Sequence, residues 1–149
     1  MKIEEAVRQK KFESSQDKAW INLNYTYQRL NDKFNCVFKE FDITPQQFNV
    51  LRILKGRYPG TASCNEVKEV MIDKNPDLTR LSDRLISKGL ILRELNEENR
   101  RQVILKISET GLELLKKMDP VIKEQAKLFA NLNEEEAEQL SDLLDKLRG

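Results

Sequence analysis

The sequence predicts a mainly α fold with one small β-hairpin, and three observations carry that expectation. From Pro76 to Lys88, apolar residues recur at helical spacing beside an arginine-bearing face. Gly89 then stops the helix, and two short apolar runs, Leu90 to Leu95 and Gln102 to Ile107, flank a polar turn at Asn96 to Asn99. Elsewhere the apolar pattern is helical, with capping-box sequences opening three further helices. Together these features outline a winged helix-turn-helix over about residues 44–108, with flanking helical regions at 1–43 and 109–149, in a single domain spanning 1–149.

Taken in order, Ile3 to Phe12 reads as a short charged helix and Asp17 to Phe41 as a longer one. Trp20, Leu23, Tyr27, Leu30, Phe34 or Val37, and Phe38 or Phe41 keep helical spacing in the second, which predicts a buried aromatic stripe. Thr44, with Pro45 at the first turn and Gln47 reaching back, opens the next helix, whose apolar residues are Phe48, Leu51, Ile53 and Leu54; Tyr58-Pro59-Gly60 ends it. Ser63 with Glu66 opens a short helix with Val67, Val70 and Met71 on its apolar side, the first half of the helix-turn-helix. Asn75 suits the N-cap of the second half, because Pro76 has no backbone N–H to leave unpaired. Leu78, Leu81, Leu85 and Ile86 form its stripe, leaving Thr79, Arg80, Asp83, Arg84 and Ser87 beside it. Ser108 caps a helix starting at Glu109, with Leu112, Leu115 and Met118 inside and a bend expected at Pro120. Asn133 and Glu136 open a last helix carrying Ala137, Leu140, Leu143, Leu144 and Leu147.

The run Leu78 to Ile91 resembles the recognition helix of MarR-type transcriptional regulators, and Asn96-Glu97-Glu98-Asn99-Arg100-Arg101-Gln102 resembles their wing. The resemblance extends to Ile107-Ser108-Glu109-Thr110-Gly111, similar to the family's wing-to-helix junction, and to Thr44 through Leu51, similar to the start of its second helix. It implies a dimer that interleaves the first and last helices of two chains, DNA as partner, and control by a small anionic or aromatic ligand or by thiol oxidation. Two departures stand out. The family usually has aspartates in the wing turn where this chain has Asn96 and Asn99, and small hydroxyl residues where it has Lys74, Asn75, Pro76 and Asp77.

Composition suits such a protein. A chain of 149 residues is long enough to bury a core. Its net charge of +1 gives no global argument for a polyanionic partner, so the distribution has to carry it. Residues 74–106 hold eight Lys and Arg against five Asp and Glu, whereas residues 107–149 hold six against ten. No stretch is apolar enough to span a bilayer and Met1 to Lys11 is too charged for a signal peptide, so no membrane association and a cytoplasmic location are expected. No His base, glycine-rich phosphate loop or nucleophile elbow is present, so enzyme action is not expected. With two cysteines and no histidine, neither a disulfide scaffold, a metal site nor any cofactor is expected.

DNA chemistry assigns the polar residues. Thr79, Arg80 and Arg84 suit the major groove, where arginine donates two hydrogen bonds to guanine and threonine meets a thymine methyl. Arg100 and Arg101 on the wing suit a narrow A/T minor groove. Ser63, Asn65 and Lys74 suit phosphates at helix starts, with Asn75 and Asp77 flanking the same surface. A two-fold dimer would place two such readers on the half-sites of a pseudo-palindromic operator in double-stranded DNA, about 34–36 Å apart. The Phe and Leu surplus near both termini is read either as that interface or as an intrachain core. Trp20, Tyr25 and Tyr27 line an effector cleft or simply the core. Cys36, among Phe34, Val37 and Phe38, reads as a buried core residue or else a redox thiol, and Cys64, just past a helix cap, as a second candidate redox thiol. The readings are thus a dimeric repressor relieved by a small ligand, a thiol-sensing regulator, or a winged-helix protein-docking module without DNA.

Overall fold

The computed structural model describes residues 1–73, 76–95, 103–127 and 130–149, with the backbone alone at 125 and 126. The chain divides into two compact units, Met1–Cys36 and Val37–Gly149. In the first, α1 covers only Ile3–Ala6, shorter than the expected Ile3 to Phe12. No side chain caps it, and Arg8 adopts a left-handed φ of 54°. So short a turn has little cooperativity to extend itself. Within the same unit Lys18 bonds Glu4 at 2.5 Å, and its ammonium lies 6.0 Å from the Phe12 ring.

Helix α2, Ser15–Glu40, starts two residues before the expected Asp17 because Ser14 Oγ accepts the Asp17 N–H at 3.0 Å. Its expected buried stripe is only partly buried. Val37 and Phe38 are enclosed, but Trp20 is 64% and Tyr27 59% exposed. Spacing shows that these residues share a face; it does not show what covers that face.

The second unit carries the helix-turn-helix. Helix α3 (Pro45–Arg57) and α4 (Cys64–Val70) both begin with the expected reciprocal capping boxes, Thr44 with Gln47 and Ser63 with Glu66. Between them, Ala62–Ser63 form a two-residue strand, β1, that nothing in the sequence announced. Helix α5 spans Leu78–Ser87 and ends where Gly89 turns left-handed, φ 68°, a conformation that costs glycine little. Its N-cap is Asp77 and not the expected Asn75, since Asp77 Oδ1 accepts the Arg80 N–H at 3.1 Å. Helix α4 buries Val67 but leaves Val70, expected on the apolar side, exposed.

Strands β2 (Ile91–Leu95) and β3 (Val103–Ile107) pair antiparallel, with Ile91 opposite Ile107 and Arg93 opposite Leu105. Strand β1 joins the far edge of β3 to give the order β1-β3-β2. The sheet buries Ile91, Leu105 and Ile107 together with Val50, Leu51 and Leu54 of α3, Val67 of α4, and Leu78 and Leu85 of α5. Each such side chain contributes about 1.5–3 kcal/mol of burial. Helix α6 (Glu109–Ala126) runs through Pro120 and buries Leu115 and Met118. Helix α7 (Glu134–Arg148) opens with the expected Asn133–Glu136 capping box but buries no residue. Among the described residues no helix is long and apolar enough to cross a membrane.

Candidate nucleic-acid interface

Helix α5 is held on several sides, and what it leaves outward is basic. Its apolar stripe of Leu78, Leu81 and Leu85 is buried, as is Ser82, which donates to the Thr79 carbonyl at 3.0 Å. The opposite face exposes Thr79, Arg80, Asp83, Arg84 and Ser87. Neither Arg80 nor Arg84 has a side-chain hydrogen bond or ion pair among the described residues, so both guanidiniums keep their donor forks.

The other charges here are already matched. Arg93 on β2 bonds Asp83 at 2.5 Å and reaches Ser82 Oγ at 3.3 Å. Lys88 joins Asp42, through its carboxylate at 2.8 Å and through its backbone carbonyl. Two residues of the basic excess therefore brace α5, a role the linear sequence did not reveal. The turn between α4 and α5 is pinned from α3, where Asn49 Oδ1 accepts the Ile72 N–H at 3.1 Å and Gln46 donates to Asp73. Behind α5, Ser108 Oγ donates to the Gly89 carbonyl at 2.6 Å and accepts the Gly111 N–H at 3.0 Å.

Ser63 is buried, with its hydroxyl turned to the Glu66 N–H as a cap. In return the Ser63 N–H donates to the Glu66 carboxylate at 2.7 Å, and this bond first, then the Ser63 hydroxyl, holds that carboxyl below its usual range. The positive end of α4 is thus matched by the chain's own acid. Asn65 is exposed on α4, and Asp77 faces solvent while capping α5. Lys74, Asn75, Arg100 and Arg101, as well as Asn96 and Asn99, lie outside the described residues.

The effector candidates do not converge. Trp20 and Tyr27 are seven residues apart on one face of α2, whereas Tyr25 projects from another, its hydroxyl accepting from Arg29 at 2.6 Å. Cys36 is exposed, contrary to the expected core position, and Cys64 is half-buried as the first residue of α4. A groove of about 470 Å³ lies between α3 and α6, with Phe48, Leu115 and Ile122 as its apolar part and Arg52, Lys55, Lys123 and Asp119 around them, Asp119 lying 3.9 Å from Lys55.

The MarR family's sequence model matches residues 43–103 of this chain. The HTH-type transcriptional regulator MhqR of Bacillus subtilis is 26% identical over 131 residues, 87% of this chain and 89% of that protein. Among solved structures, a MarR transcription factor from Planctomyces limnophilus is 30% identical, covering 93% of this chain and 98% of its own, with a TM-score of 0.71. The S. aureus MepR–DNA complex superposes with a TM-score of 0.77 at 22% identity, over 92% of this chain and 97% of that one.

Proposed function

The chain belongs to the MarR family of transcriptional regulators, and from that premise we propose that it is a sequence-specific DNA-binding repressor, working as a homodimer on a pseudo-palindromic operator. The observation that carries this reading is the outward face of α5. Thr79, Arg80 and Arg84 stand unpaired on a helix whose other charges are tied to the fold, as a major-groove reader requires. That a fold-mate is solved as a complex with DNA supports the same reading.

Two copies are needed because one helix spans too few base pairs to select a site in a genome. The exposed Trp20, Leu23 and Tyr27 of α2, and the exposed Leu140, Leu143 and Leu147 of α7, supply apolar faces of the kind that subunit contacts cover. The effector of this proposal is an aromatic carboxylate in the α3–α6 groove, its ring against Phe48, Leu115 and Ile122 and its charge toward Arg52 and Lys123. The exposed thiol of Cys36 favours a second reading, release of DNA on oxidation, which Cys36→Ser would abolish.

The deciding experiment titrates the purified protein into DNA from its own gene neighbourhood at several salt concentrations. Tight binding to one segment is expected, with log K falling steeply against log salt, by about 0.9 per phosphate contact. Absence of binding at low salt would remove the DNA reading and leave the winged helix as a docking module.

A further inference from the structure

Asp83 is the only acidic residue within α5, and it stands three residues after Arg80 and one before Arg84. On a helix, a carboxylate and a guanidinium three apart are within reach of each other. Left alone, Asp83 would draw Arg80 down onto the helix surface and turn a negative charge toward any polyanion. The structure engages it elsewhere. Arg93 lies opposite Leu105, which is fully buried, and directly opposed residues in an antiparallel pair project from the same face of the sheet. The pleat therefore sends Arg93 to the inner face of the sheet, where its Nη2 reaches Asp83 Oδ1 at 2.5 Å and Ser82 Oγ at 3.3 Å.

We infer that Arg93 is a positioning residue for base readout: by holding Asp83 it keeps the carboxylate off Arg80, leaving that guanidinium free for a base edge. The inference rests on the DNA reading proposed above. It makes Arg93 act through Asp83 and not through the DNA, and that distinction is measurable.

Fluorescence anisotropy of the full chain on operator and scrambled DNA, in wild type, Arg93→Gln, Asp83→Asn and the double variant, tests it. Arg93→Gln is expected to lose affinity for the operator by roughly tenfold, on the scale of one base contact, and to lose less on scrambled DNA. Adding Asp83→Asn should restore most of the loss, because the freed carboxylate is gone. A double variant as weak as Arg93→Gln would mean that Arg93 touches DNA itself and would overturn the inference, as would an Arg93→Gln protein that binds like wild type. Arg93→Lys, read beside thermal melts of every variant, is the second arm should glutamine prevent folding. It keeps a charge on Asp83 and is expected to retain most operator affinity, and a collapse equal to complete loss of the side chain would refute the clamp. If the wild type itself binds no DNA, the functional proposal falls and takes this one with it; wild-type binding unaffected by Arg93→Gln removes this one alone.

Discussion

Gly111→Ala and Gly56→Ala are the same substitution within helices, and the structure gives them opposite signs. Gly111 is buried in the first turns of α6, where an added Cβ would run into the Leu90 carbonyl oxygen, 2.8 Å from Ile107 Cγ1 and 3.2 Å from Leu90 C. The Leu90 carbonyl cannot drift away cheaply, because it accepts the Ser108 N–H at 3.1 Å while the Leu90 N–H is held by the Leu85 carbonyl at 2.9 Å. Overpacking of this kind costs about 1–3 kcal/mol, and straining the Ser108 bond adds about 1. Better helix propensity returns about 1, so the net destabilisation is about 1–3 kcal/mol. For a chain of this size that lowers the melting temperature by about 2–12 °C. At Gly56 nothing lies within 4 Å of the added Cβ, so alanine should stabilise by about 0.4–1 kcal/mol. Thermal unfolding followed by circular dichroism reads both. A Gly111→Ala protein that melts at or above wild type would show that the junction behind α5 yields freely, and the reasoning would be wrong.

Arg80→Ala should cost about 1–3 kcal/mol at one base position and relax preference there, whereas Lys74→Ala should weaken all DNA alike and reduce the salt slope by about one; equal loss on operator and scrambled DNA for Arg80→Ala would mean backbone contact only. Removing Asn133 to Gly149 should convert a dimer to a monomer or an unfolded chain in light scattering, and a well-folded dimer after deletion would refute the role given to α7. Glu66 has a folded pKa below its ordinary 4.5, so its stabilising contribution is complete above that value and is lost as pH falls through the lower folded value. The melting gap between wild type and Glu66→Gln should therefore hold at neutral pH and close progressively below about pH 4.5; a gap unchanged into strong acid would contradict the assignment.

What the sequence made legible is local. Capping boxes at Thr44, Ser63 and Asn133 were readable because a cap and its partner lie three residues apart. The cap of α5 was misplaced by two residues because Asn75 and Asp77 offer equivalent acceptors on either side of Pro76, and only the backbone's direction chooses between them. Strand β1 escaped notice because two residues show no alternation, and its identity comes wholly from a partner more than 40 positions away. The same limit hid the clamp of Arg93 on Asp83, the tie of Lys88 to Asp42, and the brace from Gln46 and Asn49. Periodicity grouped Trp20 with Tyr27 yet overstated their burial. Cys36 likewise took its expected setting from its neighbours in sequence, and α2 turns it outward.

Strand β1 contributes only the pairs Ala62 with Leu105 and Ser63 with Ile104. Those two rungs nonetheless tie together the ends of a segment that includes α4, α5 and β2. Such a closure turns the segment into a loop whose ends are fixed, and the entropy cost of closing it grows only slowly with what is inserted between them. Helix α5 can therefore change its outward residues, or the chain between β2 and β3 its length, without moving the points where the loop meets the rest of the fold. The segment from Ala62 to Leu105 thus enters and leaves the rest of the fold through a two-residue clasp, and substitutions confined to the outward face of α5 leave the helices on either side in place.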